Sequence, residues 1–207
     1  MQILNFQKNG YYIYRNLISA DAANHISNNF KLLRDISMFQ ANNNASLFVD
    51  WLVPDNCFVW YAPVDYLLTH LQDKIEKITG KSLFPTYTFG RIYYAGAIMN
   101  KHTDRPSCEV SATLCTAIDG DPWPIWITNK DGTDVPVELF PGDAMIYQGI
   151  VMQHWRNKYT EGKEQVQFFL HWVDANGPYV DWKFDKRPML GLQHSSEYKK
   201  NKKDENI

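Results

Sequence analysis

Three cysteines in 207 residues, Cys57, Cys108 and Cys115, are odd in number and contain no CxxC pair, which excludes a disulfide framework and a zinc-ribbon pattern. That usage points to a reducing, cytoplasmic setting. No apolar run approaches the ~18 residues of a membrane-spanning helix, and the first ten residues mix Lys8 and polar side chains into their apolar positions. Neither a membrane partner nor an export leader is expected. Charge of one sign is also scarce: a net charge of -2 generates no strong field for nucleic acid, and none is expected as a partner. There is no phosphate-cradling glycine loop and no internal repeat, and nothing in the sequence fixes an oligomeric state.

What is present is a large apolar and aromatic fraction, 44% and 14%, enough for one sizeable core. A single domain is expected over residues 1–190, with a polar, lysine-rich tail over 191–207. Tyr11 to Tyr14 reads as a short strand, and Ser19 as the N-cap of a helix with apolar positions Ala22, Ile26, Phe30 and Leu33. Ser37 to Asp55 shows no period and reads as a long loop; its Asn44-Ala45-Ser46 sequon is coincidental without a leader. Pro63 opens a second helix with the stripe Val64, Leu67, Leu68, Leu71, Ile75 and Ile78, closed by Gly80. His25 and His70, on these helices, have no ligand pattern around them.

Beyond residue 80 six strands are expected: 86–94, 110–118, 125–128, 135–140, 144–147 and 166–173. Helices first and strands after argue for a mainly β core with helices packed on one side. Pro141-Gly142-Asp143 supplies a tight turn into the strand that precedes His154.

The chemistry concentrates at His102-Thr103-Asp104. Side chains alternate on an extended segment, so positions 102 and 104 can face one ion, and His154 downstream completes a two-His-one-carboxylate set. Such a facial triad suits Fe(II) and leaves positions open on it. Alone, a His-x-Asp is more often a hydrogen-bonded surface pair; order and context raise its weight. Arg105 is either a brace for this loop or a substrate contact, and His171 either faces the pocket or packs in the core.

These residues resemble the Fe(II)- and 2-oxoglutarate-dependent oxygenase superfamily, and its prolyl 4-hydroxylase-like branch most. The similarity lies in Tyr93-Tyr94-Ala95-Gly96 ahead of His102-Thr103-Asp104, in the Pro141 to Tyr147 turn and strand, in His154, and in Lys163 nine residues later. The resemblance implies a double-stranded β-helix, a jelly-roll or cupin-like barrel, with Fe(II) on His102, Asp104 and His154. It further implies 2-oxoglutarate as cosubstrate, its far carboxylate held by Lys163 with Tyr93, and O2 as oxidant. The implied activity is hydroxylation of a peptidyl side chain, amino acid or small metabolite, with release of succinate and CO2. Arg156, two residues after His154, is the rival anchor, a better bidentate partner at a less familiar spacing. The competing readings are a cupin-type metal protein without 2-oxoglutarate chemistry and a non-catalytic β-sandwich binding module.

Overall fold

The long strands give one sheet two unlike faces, and that contrast sets the architecture. The computed structural model describes residues 2–42, 55–58 and 61–192. In chain order these form α1 (Gln2–Asn9), β1 (Tyr11–Tyr14), α2 (Ala20–Asn42), β2 (Asp55–Phe58), α3 (Ala62–His70), α4 (Gln72–Thr79), β3 (Leu83–Tyr94) and β4 (Met99–His102). There follow β5 (Val110–Gly120), β6 (Ile125–Thr128), β7 (Asp134–Val137), β8 (Ala144–Tyr147), β9 (His154–Arg156) and β10 (Gly162–Asp174), with 3₁₀ turns at Pro106–Cys108 and Val180–Lys186.

The strands form two antiparallel sheets, one ordered β1-β8-β5-β10-β3-β2 and one ordered β4-β9-β6-β7. On β10, Val166, Phe168, Leu170 and Trp172 are fully buried on one face, against Phe30 of α2, Leu68 of α3 and Ile75 and Ile78 of α4. The alternate residues Gln165, Gln167 and His171 are buried on the other face, which meets the smaller sheet. Cys115, Met145 and Tyr147 of the large sheet pack there on Ile125, Ile127 and Val137 of the small one. The result is a double-stranded β-helix with its helices on the outside of the larger sheet, as expected. Gly90 lets α2 approach that sheet, because a Cβ there would lie 2.7 Å from Phe30 and 2.8 Å from Phe168.

Several boundaries differ from the sequence expectation. α1 was not foreseen; Phe6 alone on it is buried, too few apolar positions to show a period. α2 continues to Asn42, so the expected loop from Ser37 begins as helix; positions 43–54, with the sequon, lie outside the described residues. On α2 the buried set is Ala23, Ile26 and Phe30, whereas Leu33 is exposed. The second helix is two, α3 and α4, meeting at Leu71, and Gly80 caps the latter with φ 73°. The strand expected over 135–140 ends at Val137, and β2, β4 and β9 are short strands that the sequence did not signal. Among the described residues no helix is long and apolar enough to cross a membrane. Most of the lysine-rich tail, 193–207, lies outside them.

Candidate metal centre

β4 and β9 are adjacent in the small sheet, and their register pairs His102 directly with His154. Asp104 follows β4 in a loop fixed by its own N–H, which donates to the carbonyl of Gly149 at 2.8 Å. A Cβ on Gly149 would lie 2.5 Å from Asp104 Oδ2, so the close approach needs glycine. Nε2 of His102 and of His154 then stand 3.7 and 3.6 Å from Asp104 Oδ1, and the two rings are 4.3 Å apart. The three residues bring one ligand atom each within 4.8 Å of one another.

Both imidazoles are oriented for coordination. Nδ1 of His102 lies 2.7 Å from the carbonyl of Asn100, and Nδ1 of His154 lies 2.9 Å from that of Met152. A carbonyl only accepts, so each Nδ1 carries a proton and each Nε2 is the nitrogen turned towards Asp104, the one available as a ligand when the ring is neutral. Burial lowers the pKa of His154, more than the Asp104 carboxylate raises it, and keeps this ring neutral. The same burial raises the pKa of Asp104 against the pull of both histidines. Two imidazole nitrogens and one carboxylate oxygen, with His102 still 41% exposed at its side chain, fit an octahedral cation that keeps an accessible side. Tyr147 reaches this centre from β8, its hydroxyl 3.5 Å from Nε2 of His154.

The two candidate anchors are placed very differently. Lys163 is 82% exposed at its side chain, 3.9 Å from Asp119. The cause is local: β10 pairs Gly162 with Gly120 and Glu164 with Asp119 on β5, so Lys163 is the extra residue of a bulge and turns away from the inner face. Arg156 is 1% exposed. It shares a strand face with His154, about 7 Å along β9 at ~3.3 Å per residue. Its Nη1 donates to the carbonyl of Trp123, and its guanidinium lies 4.9 Å from the Trp123 ring centre. Nε and Nη2 have no hydrogen-bond partner among the described residues, and desolvation pulls the pKa of Arg156 below its usual value. Tyr93, also buried, packs edge-on against Trp123 at 5.1 Å.

Gln165 and Gln167 belong to the same inner face. Their carbonyl oxygens accept from the backbone N–H of Trp123 at 3.0 Å and the Thr113 hydroxyl at 3.2 Å, which leaves each amide Nε2 buried with no nitrogen or oxygen partner among the described residues, that of Gln167 beside the Cys115 thiol. Four orphan donor nitrogens and no orphan acceptor among these three side chains describe a cradle for an anion. Neither glutamine was singled out from the sequence; strand parity with His171 was the available signal. Arg105 braces rather than lines the centre, bound twice to Asp185 at 2.6 and 3.0 Å. His171 faces inward and meets Ser111 Oγ at 2.9 Å. Burial holds its pKa down to about 3 and pushes the Cys108 thiol up to about 12. His25 and His70 lie on the outer helices, away from this centre.

No protein-family model and no curated protein sequence matches the chain. Solved structures do match in fold. A Pseudomonas putida prolyl-4-hydroxylase is 15% identical with a TM-score of 0.62, over 84% of this chain and 99% of that one. HygX from Streptomyces hygroscopicus, with nickel, 2-oxoglutarate and hygromycin B bound, is 11% identical with a TM-score of 0.63, over 96% and 98%. A Trichoplax adhaerens prolyl hydroxylase in complex with a hypoxia-inducible-factor peptide fragment is 13% identical with a TM-score of 0.63, over 84% and 88%.

Proposed function

We propose that this chain is an Fe(II)- and 2-oxoglutarate-dependent oxygenase that hydroxylates a peptidyl side chain, an amino acid or a small metabolite. The observation that carries the reading is Arg156. A fully buried guanidinium with two unpaired donors costs several kcal/mol unless an anion joins it, and it lies beside a three-residue set suited to Fe(II). His102, Asp104 and His154 would hold the cation to which a short dicarboxylate binds by one end, and Arg156 would pair with the carboxylate at its other end. Iron with the 2-oxo acid and O2 would supply the oxidising power for hydroxylation, releasing succinate and CO2. The protein's part is to hold the three ligands, to pair the far carboxylate with Arg156, Gln165 and Gln167, and to leave the His102 side open to substrate. The folds of the peptide-bound hydroxylase and the hygromycin-bound enzyme support both substrate classes.

On this reading the far-carboxylate role passes from Lys163 to Arg156, with Tyr93 kept near the guanidinium. Anaerobic addition of Fe(II) and then 2-oxoglutarate should produce the visible metal-to-ligand band of a chelated 2-oxo acid. The band should vanish in His102→Ala, need much more 2-oxoglutarate in Arg156→Gln, and persist in Lys163→Ala. Metal binding without the band would favour the cupin-type reading. A band weakened by Lys163→Ala and not by Arg156→Gln would restore the lysine.

A further inference from the structure

Asp104 turns its two carboxylate oxygens to two different sets of side chains. Oδ1 faces His102 and His154, whereas Oδ2 lies 3.3 Å from the Ser111 hydroxyl, which in turn meets His171 Nδ1 at 2.9 Å and the carbonyl of Cys108 at 3.2 Å. Asp104, Cys108 and His171 thereby bring a carboxylate oxygen, a thiol sulfur and an imidazole nitrogen within 4.8 Å of one another. This cluster comes from three elements: the loop after β4, the Pro106–Cys108 turn and β10.

We infer that Asp104, Cys108 and His171 form a second cation site, selective for a thiophilic divalent ion such as Zn2+ or Cd2+, which competes with the iron set for Asp104. The competition rests on the proposed reading of His102, Asp104 and His154; the existence of the second site does not. One sulfur, one nitrogen and one oxygen, with a water as fourth ligand, is a tetrahedral zinc donor set, whereas the iron set has no sulfur. At Zn–S and Zn–N lengths of about 2.3 and 2.1 Å, ligand atoms stand roughly 3.5 Å apart, so the three side chains have about 1 Å to close. Burial and the Asp104 charge disfavour a thiolate in the metal-free protein, and two neighbours offset them in part: the Tyr87 hydroxyl, 3.3 Å from Cys108 Sγ and able to donate to it, and the Arg105 guanidinium. Binding forms a metal–sulfur bond and releases the thiol proton to water, with no change of oxidation state. A dication there draws on the Asp104 carboxylate and repels a second dication at His102 and His154.

Metal-free protein titrated anaerobically with Cd2+ should show the ultraviolet thiolate-to-metal charge-transfer band at one equivalent. The band should remain in His102→Ala and in Cys115→Ser, and disappear in Cys108→Ser, whose Mn2+ binding, read by electron paramagnetic resonance, should persist. With one equivalent of Cd2+ present, wild-type protein should bind Mn2+ roughly tenfold or more weakly. No band in the wild type, or a band that survives Cys108→Ser, would overturn the site. Unaltered Mn2+ binding in His102→Ala would overturn the iron set alone and leave the cadmium result standing.

Discussion

Ser111 has one proton and three polar partners around it, and how it spends that proton sets the geometry of Asp104. Its hydroxyl lies 3.3 Å from Asp104 Oδ2, 3.2 Å from the Cys108 carbonyl and 2.9 Å from His171 Nδ1. His171 is neutral because burial holds its pKa near 3. With the ring proton on Nδ1 it donates to Ser111 Oγ, which frees the serine proton for Asp104 and turns Oδ1 towards His102 and His154. Ser111→Ala removes this hold without changing the strand. Its Mn2+ affinity should fall by roughly tenfold, with the circular dichroism spectrum unchanged; equal affinity in variant and wild type would show that Asp104 needs no such partner.

Among the elements, the Phe140 to Asp143 turn ties the segment after β1 to the second half of the chain. Asp143 accepts from the N–H groups of Asn16 and Phe140 at 2.9 and 3.1 Å and from Arg15 at 2.6 Å, and Gly142 at φ 98° makes the turn possible. Burial alone would raise the Asp143 pKa, but these donors outweigh it and hold it below 3.8. A depressed carboxylate stabilises the fold above its unfolded pKa and loses that contribution as pH falls through the folded one. Asp143→Asn should therefore cost about 2 kcal/mol near neutrality by urea unfolding, and the gap should close below pH ~3.8. A gap that stays constant down to acid would assign the loss to packing.

The turn was legible because Pro141-Gly142-Asp143 is a local pattern, and β10 because 166–173 is apolar on nearly every position. The strands that hold the histidines were not: β4 is four residues and β9 three, too short to show a period. Sequence order nevertheless picked out three residues that the fold brings together, His102, Asp104 and His154, since facing strands unite what spacing keeps apart. Spacing could not foresee the outward, exposed side chain of Lys163, where a single bulge reverses its direction and no local signal marks the bulge.

At the scale of the molecule, the large sheet divides its work between its faces. The helix side is apolar and fully packed, with Phe30 and Phe168 in ring contact at 4.8 Å and Trp172 fully buried. The inner face carries buried polar groups with no hydrogen-bond partner among the described residues, on Arg156, Gln165 and Gln167. On the proposed reading, stability built on the first face holds the second in a conformation that is costly until an anion pairs with Arg156. Arg156→Met separates the two. It gives up one hydrogen bond to the Trp123 carbonyl and the contact with that ring, and removes a desolvated charge whose burial costs several kcal/mol. The variant should unfold at higher denaturant than the wild type, by about 1–3 kcal/mol. With Mn2+ present, 2-oxoglutarate should raise the melting temperature of the wild type and leave that of Arg156→Met unchanged. A less stable variant would mean that the Trp123 contacts outweigh the buried charge. A variant still stabilised by 2-oxoglutarate would place the dicarboxylate's second end elsewhere.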